Sequence, residues 1–127
     1  LDYNALALTP IPNALSAQIS RDPAVVQAYD DDPLVLKEFT MKLMGEIFIR
    51  GVGWLVENME DYRYPCLILH GGDDQLVPAE ASTYLFEHIS SADKQLKIYD
   101  GLYHEIFNEP EKDRVLEDVH QWIERHI

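Results

Sequence analysis

The sequence predicts an α/β fold in which helices flank a parallel sheet, and two observations support this prediction. Segments 65–70 and 95–100 are short and rich in apolar residues, and each is followed by a stretch with helical periodicity. This alternation of strand and helix implies right-handed crossovers and parallel strands. Because two parallel strands alone cannot close a core, we expect the chain to be the C-terminal part of a larger domain.

The two predicted strands are expected to lie in different surroundings. Residues 66–69 are apolar at every position, which is typical of a strand covered on both faces. Residues 95–100 alternate between apolar and polar side chains, which favours a position nearer the sheet edge. Pro78 is expected to begin the helix between the strands, and Asn108 or Glu109 is expected to be the N-cap of the final helix.

The first half of the chain has weaker patterns. Residues 1–20 contain proline and alanine with little periodicity, and we expect them to be irregular. Asp22 is a suitable N-cap, and Pro23 a suitable first residue, for a short helix. Between Phe39 and Glu60, large apolar residues recur at helical spacing, which predicts a longer helix weakened by glycines in its middle.

Composition excludes several kinds of function. The 23 acidic and 10 basic residues give a net charge of −13, which argues against binding to nucleic acid or to anionic lipid. Cys66 is the only cysteine, so an internal disulfide is impossible. No apolar stretch approaches the length of about 20 residues that spans a bilayer. The chain starts at Leu1 without the basic residues of a signal peptide, so we expect an internal start and a cytoplasmic location.

Polar segments follow both predicted strands and contain residues suited to proton transfer. Residues 70–74, His-Gly-Gly-Asp-Asp, follow the first strand, and residues 100–110 follow the second. Because the C-terminal ends of parallel strands meet at one sheet edge, we expect Asp74 and His104 to be neighbours. A carboxylate that accepts from one imidazole nitrogen fixes the tautomer and stabilises the imidazolium formed when the other nitrogen takes a proton. The pair supplies two groups of a nucleophile–histidine–acid arrangement.

Two segments carry a resemblance to a known family. Residues 65–86, "PCLILHGGDDQLVPAEASTYLF", and 93–123, "DKQLKIYDGLYHEIFNEPEKDRVLEDVHQWI", resemble the α/β-hydrolase superfamily, particularly its monoacylglycerol lipase and lysophospholipase branch. The segment "SRDPAVVQAYDDDPLV" is similar to the cap segment of that branch. The resemblance implies the C-terminal part of an α/β-hydrolase fold, with a mostly helical cap or lid at 1–61 and part of the core at 62–127.

The resemblance also implies a parent protein that hydrolyses carboxylic esters, either monoacylglycerols or lysophospholipids, without a metal or an organic cofactor. It places the catalytic acid at Asp74, with Asp73 as a solvated neighbour, and the catalytic histidine at His104. The apolar face of the helix within 39–60 is expected either to pack against the core or also to roof an acyl pocket. The residues expected to line such a pocket are Phe48, Val52, Leu55, Leu76 and Val77, although packing explains Leu76 and Val77 equally well.

The sequence departs from the family by lacking its Gly-x-Ser-x-Gly nucleophile segment and its oxyanion-hole segment. We therefore expect the chain to be inactive alone and to need the N-terminal half of the same hydrolase, or to self-associate. An aspartate nucleophile in that half would make the parent an epoxide hydrolase or a dehalogenase. Outside the enzymes, the alternative is a non-catalytic, self-associating interaction module. His70 is expected to buttress its loop rather than to bind a metal with Asp73, Asp74 and His104.

Overall fold

The structure, a computed structural model, describes residues 3–127. Helices and short strands alternate along these residues, and the strands form two separate pairs. In chain order the elements are β1 (Pro10–Pro12), α1 (Ser16–Ile19), α2 (Pro23–Asp31), β2 (Glu38–Thr40), α3 (Met41–Gly45), α4 (Val52–Asn58), β3 (Cys66–Gly71), α5 (Glu80–His88), β4 (Lys94–Tyr99) and α6 (Lys112–Glu124).

The second half of the chain contains the parallel strand pair that the sequence predicts. Strands β3 and β4 run parallel, with Cys66 opposite Lys94 and Gly71 opposite Tyr99. The predicted strands at 65–70 and 95–100 are each displaced by one residue from the observed ones. Because the register pairs the last residues of both strands, the loops that follow them start side by side.

Helices α5 and α6 cover opposite faces of this sheet. Ile68 of β3 packs in a cluster with Ile89, which directly follows α5. Leu69, the next residue of β3, packs instead against the cluster that contains Val115 of α6. Successive side chains of a strand point to opposite faces, so the two clusters lie on the two sides of the sheet. The prediction of a parallel sheet with flanking helices is confirmed.

The first twenty residues are more regular than expected. Residues 1 and 2 lie outside the described residues, but Pro10–Pro12 forms β1 and Ser16–Ile19 forms α1. Strand β1 pairs antiparallel with β2, so that Ile11 is opposite Phe39. The prediction of an irregular segment is wrong because proline is compatible with a short edge strand, and the partner of this strand is distant in sequence.

The observed start of α2 agrees with the sequence prediction, whereas the start of α5 does not. Pro23 is the first residue of α2, and the Asp22 side chain accepts a hydrogen bond from the Ala24 backbone N–H at 2.9 Å, as predicted. Helix α5 begins at Glu80, whereas the sequence predicts a start at Pro78. The residues between are in a turn, so the proline precedes the helix rather than occupying its first position.

The start of the final helix is also later than predicted. Helix α6 begins at Lys112 with Glu111 at the N-cap position, so the prediction that Asn108 or Glu109 is the cap is wrong. Residues 107–111 form turns before the helix begins. The Glu109 carboxylate is used for a different purpose, because it accepts hydrogen bonds from the first half of the chain.

The long helix predicted between Phe39 and Glu60 is a helical segment of changing pitch. The Thr40 hydroxyl caps α3 by accepting a hydrogen bond from the Leu43 backbone N–H at 3.1 Å. A π-helical segment at Glu46–Gly51 then leads into α4, and a 3₁₀ turn at Met59–Asp61 ends the segment. Because a π-turn contains more residues than an α-turn, the apolar positions do not stay on one face.

Much of this helical segment is apolar and exposed, and we refer to this region as the apolar helix surface. Its side chains are those of Leu43, Ile47, Phe48, Ile49, Val52, Trp54, Leu55 and Val56. Exposed apolar side chains in this number, although spread over more than one face of the segment, are typical of a region that contacts another protein segment or a ligand. Within residues 3–127, no helix has both the length and the apolar content needed to cross a bilayer.

Candidate functional site

The loops that follow β3 and β4 are joined to each other by backbone hydrogen bonds. The Gly72 N–H donates to the Tyr99 carbonyl at 2.7 Å, and the Asp73 N–H donates to the Leu102 carbonyl at 3.0 Å. Gly101 has a φ of 80°, a conformation that glycine adopts without strain, so the second loop turns sharply at this position. These contacts fix the loop carrying Asp74 against the loop carrying His104.

Asp74 and His104 form a direct hydrogen bond, although they lie 30 residues apart in sequence. The distance between Asp74 Oδ2 and His104 Nδ1 is 2.8 Å. Because a carboxylate only accepts, the proton of this hydrogen bond is assigned to Nδ1 of the imidazole. The Asp74 side chain is 2% exposed, whereas the His104 side chain is 39% exposed. The acid is therefore buried behind a histidine that is open to the surface.

The second oxygen of Asp74 is bound by the backbone of its own loop. Asp74 Oδ1 accepts from the Leu76 N–H at 2.8 Å and from the Val77 N–H at 3.0 Å. Burial opposes ionisation of the carboxyl, but the hydrogen bonds from Val77, His104 and Leu76 outweigh it and hold the pKa of Asp74 below its usual range. Asp73 differs from Asp74 because its side chain is exposed and its backbone, rather than its carboxylate, contacts the neighbouring loop.

A second histidine lies behind Asp74. His70 Nε2 is 2.9 Å from the Val77 carbonyl oxygen and 3.1 Å from Asp74 Oδ2, and its Nδ1 is 2.6 Å from the Ser82 hydroxyl. Since a carbonyl only accepts, the proton is assigned to Nε2, and Nδ1 accepts from Ser82. The sequence predicts a buttressing role for His70, but nothing in it indicates that this ring approaches the same carboxylate oxygen as His104.

A cavity of about 380 Å³ opens beside the acid–histidine pair. Its wall combines Asp74 and His104 with the apolar side chains of Leu69, Ile106 and Phe107. Within residues 3–127, His104 Nε2 has no hydrogen-bond partner, so the nitrogen opposite the Asp74 contact is available to another group. The site can hold an apolar ligand beside a histidine able to accept a proton.

The five residues predicted to line an acyl pocket are not part of this wall as the described residues form it. Leu76 and Val77 are half-buried next to Asp74 and contact it through their backbones. Phe48 and Val52 belong to the apolar helix surface, and Leu55 borders a separate apolar cavity of about 230 Å³. A role for these residues in substrate binding stays a prediction.

Glu109 is the most completely buried charged residue near the site, and its side chain is 0% exposed. Its Oε1 accepts from the Ser20 hydroxyl and the Arg21 backbone N–H, both at 2.6 Å. Its Oε2 accepts from Arg21 Nε at 2.7 Å and from the Tyr103 backbone N–H at 2.9 Å. The sequence does not indicate these contacts, since the donors are distant and a Glu before Pro110 suggests a helix cap instead.

The Glu109 contacts predict a pH dependence of stability. Burial opposes ionisation, but hydrogen bonds from Ser20, Arg21 and Tyr103 outweigh it and hold the pKa of Glu109 below the ordinary value of 4.5. A lowered folded pKa stabilises the fold fully above pH 4.5, and this stabilisation is lost as the pH falls through the lower folded pKa. Urea unfolding from about pH 7 to about pH 3 should show the advantage of the unmodified chain over Glu109→Gln shrinking only below pH 4.5. An advantage that stays constant to the lowest pH would contradict this explanation.

Close packing at Gly71 predicts a second effect on stability. A Cβ at this position would lie 2.2 Å from the Tyr103 carbonyl oxygen and 2.5 Å from that of Leu102, so Gly71→Ala must displace the His104 loop. We expect a loss of about 1–3 kcal/mol in the free energy of unfolding, measured with urea. Gly53→Ala is the matched control, because nothing lies within 4 Å of its Cβ and alanine favours a helix by about 0.5–1 kcal/mol. Equal effects of the two substitutions would contradict the packing explanation.

No group of three or more His, Cys, Asp or Glu side chains in the described part of the chain is arranged to hold a metal ion.

Three features characterise the site and its surroundings: the parallel strand pair, its helices on both faces, and the acid–histidine contact at the C-terminal ends of the strands. Together they define the class of protein, which is an α/β-hydrolase.

Comparison with known proteins identifies the family within this class. The family model described as Hydrolase_4, serine aminopeptidase S33, matches residues 5–111, and the chain belongs to this family. The chain is 40% identical over 119 residues to a monoacylglycerol lipase of Mycolicibacterium smegmatis, an alignment that covers 93% of this chain and 42% of the lipase. The predicted resemblance to α/β-hydrolases of the monoacylglycerol lipase branch is confirmed.

Solved structures agree with this assignment. The crystal structure of the Paleococcus ferrophilus monoacylglycerol lipase matches with a TM-score of 0.86 and 30% identity, covering 94% of this chain and 47% of that one. A soluble variant of the Saccharomyces cerevisiae monoglyceride lipase, crystallised with a substrate analogue, matches with a TM-score of 0.83 and 27% identity, covering 94% and 44%. The chain therefore spans less than half the length of these relatives.

Proposed function

We propose that this chain is the acid- and histidine-bearing part of a serine hydrolase that cleaves monoacylglycerols or similar lipid-like esters. The observation that carries the proposal is the 2.8 Å hydrogen bond between buried Asp74 and exposed His104. The cavity beside the pair, with its apolar wall, supports an ester with an acyl chain as the substrate. Most of the relatives are named as lipases of glycerol monoesters and one is named as a phospholipase, which favours a glycerol monoester as the first substrate to test.

The proposed mechanism needs a serine from the rest of the hydrolase domain. That serine attacks the ester carbonyl carbon while His104 Nε2 takes the hydroxyl proton, and Asp74 stabilises the imidazolium that forms. His104 then delivers the proton to the leaving glycerol oxygen, which leaves an acyl-enzyme. Water, deprotonated by the same nitrogen, then attacks the acyl-enzyme, the bond between the serine oxygen and the acyl carbon breaks, and His104 returns the proton to the serine as the fatty acid is released. The description of the matching family, serine aminopeptidase, supports serine over aspartate as the nucleophile.

The missing part of the domain would also cover apolar surface that this chain leaves open. Leu67 and Leu69 of β3 are only half-buried, and they border a largely apolar cavity of about 460 Å³ with Phe107 and Trp122. A β-strand with an unpaired edge beside such a cavity is suited to pairing with another strand. The partner is the N-terminal half of the same hydrolase, and pairing between copies of this chain is the competing arrangement.

The apolar helix surface is proposed to roof the acyl chain of the substrate. Replacing Phe48 by Asp should then lower kcat/KM for long-chain esters more than for short-chain esters, because a longer chain loses more apolar contact. Leu34→Asp is the matched control, since Leu34 is an exposed leucine in the same half of the chain but outside this surface. Equal losses of kcat/KM for long-chain and short-chain esters would contradict the proposal that this surface covers the acyl chain.

The proposal is tested in a fusion enzyme, in which this chain replaces the matching segment of the Mycolicibacterium smegmatis monoacylglycerol lipase. The fusion should hydrolyse a medium-chain monoacylglycerol, followed by titration of the released fatty acid, and should cleave the corresponding lysophospholipid more slowly. The chain alone should show no hydrolysis above the buffer rate, because it lacks the nucleophile. A folded fusion without esterase activity, beside an active unmodified lipase, would contradict the proposal.

A further inference from the structure

The Glu109 carboxylate joins the His104 loop to a turn near the beginning of the chain. Two of its four donors, the Ser20 hydroxyl and the Arg21 backbone N–H, lie more than eighty residues away in sequence. A third, Arg21 Nε, comes from the side chain of that turn, and the fourth is the backbone N–H of Tyr103. The buried Glu109 carboxylate thus connects Tyr103, which precedes His104, to the Ser20–Arg21 turn at the start of the cap segment.

Both carboxylate oxygens of Glu109 are saturated with hydrogen bonds. Each carboxylate oxygen accepts two hydrogen bonds, and the side chain is shielded from water. A buried carboxylate is tolerated only when it is paired and hydrogen-bonded, and removing such a group leaves its donors unsatisfied. The arrangement therefore has a single favourable geometry, and the two segments cannot move separately without breaking it.

Neighbouring contacts extend this connection to both sides of His104. The Glu105 backbone N–H donates to the Ile19 carbonyl at 2.8 Å, so the residue after His104 is also tied to the cap segment. The Ser20 hydroxyl also lies 3.2 Å from the Asn108 carbonyl oxygen, but its single proton is assigned to the shorter bond with Glu109, so this approach adds proximity rather than a second hydrogen bond. Within residues 3–127 the His104 ring makes one hydrogen bond, to Asp74, so its direction depends on the backbone on either side.

We propose that Glu109 is a positioning residue, which aims His104 at Asp74 by holding the Tyr103 backbone against the Ser20–Arg21 turn. Its effect on hydrolysis rests on the function proposed above, but its effect on the His104–Asp74 hydrogen bond does not. Because the carboxylate spans the cap segment and the histidine loop, displacement of the cap reaches the catalytic imidazole through this residue.

Glu109→Gln tests the proposal with little change of shape. The amide presents an N–H₂ group where one carboxylate oxygen accepts two hydrogen bonds, so donors would face donors. NMR of the full chain labelled with ¹⁵N-histidine is expected to show the His104 Nδ1–H resonance, and Glu109→Gln should remove or broaden it while leaving the His70 signals unchanged. Glu111→Gln is the control, because Glu111 binds the same arginine from an exposed position and does not touch the loop.

Substitutions that remove fewer of the Glu109 hydrogen bonds distinguish the positioning of His104 from an effect on folding. Arg21→Gln and Ser20→Ala each leave the Tyr103 contact in place, so they should weaken the His104 resonance less than Glu109→Gln. In the fusion enzyme, Glu109→Gln should lower kcat by about 10–100-fold with KM changed by less than about twofold, since misalignment of a proton acceptor affects the chemical step. Glu109→Asp, which keeps the charge, should recover part of that loss.

Several outcomes would overturn the proposal. One is a folded Glu109→Gln chain with an unchanged His104 resonance, and another is the absence of that resonance from the unmodified chain. If Glu109→Gln does not fold, Arg21→Gln is used as the test variant. An unchanged His104 Nδ1–H resonance in Arg21→Gln then contradicts the proposal. An inactive fusion in which the resonance still depends on Glu109 would contradict the hydrolase function while supporting the positioning role.

Discussion

Replacing His104 by Ala is expected to lower kcat/KM of the fusion enzyme by about a million-fold, the loss seen when a serine hydrolase loses its histidine. The reason is that His104 Nε2 accepts the serine proton in the proposed mechanism, and no other imidazole among the described residues is placed to replace it. His70 is the nearest alternative, but both of its ring nitrogens are occupied by contacts with Val77 and Ser82. The measurement is fatty-acid release under substrate-limiting conditions.

His88→Ala is the matched control for this substitution. His88 ends α5, where it stacks on Tyr84 and lies outside the wall of the cavity beside Asp74 and His104. Its removal should leave kcat/KM within about twofold, because it touches no group in the proposed mechanism. A His104→Ala fusion that retains more than about one per cent of the activity would show that another group accepts the proton.

Asp74→Asn should lower kcat of the fusion enzyme by about 10⁴-fold. Asp74 Oδ1 accepts from two backbone N–H groups, so an asparagine at this position keeps its carbonyl oxygen there and turns its amide nitrogen toward His104. The amide would donate to Nδ1 and move the imidazole proton to Nε2, where the mechanism needs a free lone pair. It would also place a donor close to His70 Nε2, which lies 3.1 Å from Oδ2.

Asp73→Asn separates the role of Asp74 from a general effect of charge. It removes the same negative charge one residue away, but the Asp73 side chain is exposed and has no contact with His104. Its kcat should therefore stay within about threefold of the unmodified fusion. If Asp73→Asn is the crippling substitution, the assignment of the acid to Asp74 is wrong.

The sequence predicts the parallel strands and the position of the acid–histidine pair because both depend on local patterns. Apolar runs that end in glycine mark where β3 stops, and polar residues at strand ends indicate where functional groups collect. The meeting of Asp74 with His104 follows from the rule that parallel strands end at the same edge. The choice of Asp74 over Asp73 rests instead on the family resemblance, because both carboxylates follow the same strand.

Other features escape prediction because their causes are tertiary. The carboxylate of Glu109 is drawn away from the helix start by donors at Ser20 and Arg21, and no local pattern links these positions. Strand β1 forms only because β2 is there to pair with it. The π-helical segment at Glu46–Gly51 changes the helical period, so a regular period assigned to the apolar residues misplaces their faces.

The 2.8 Å contact between Asp74 and His104 is built within one strand–helix–strand unit, from Cys66 to the loop after β4. Its two ends share a register, and the backbone bonds between its loops need no further strand. Acid and imidazole are therefore brought together within this unit, whereas the Ser20–Arg21 turn outside it contributes to their alignment through Glu109. A segment transplanted into another protein would therefore have to begin before Ser20 to keep both the acid–histidine pair and the Glu109 contacts.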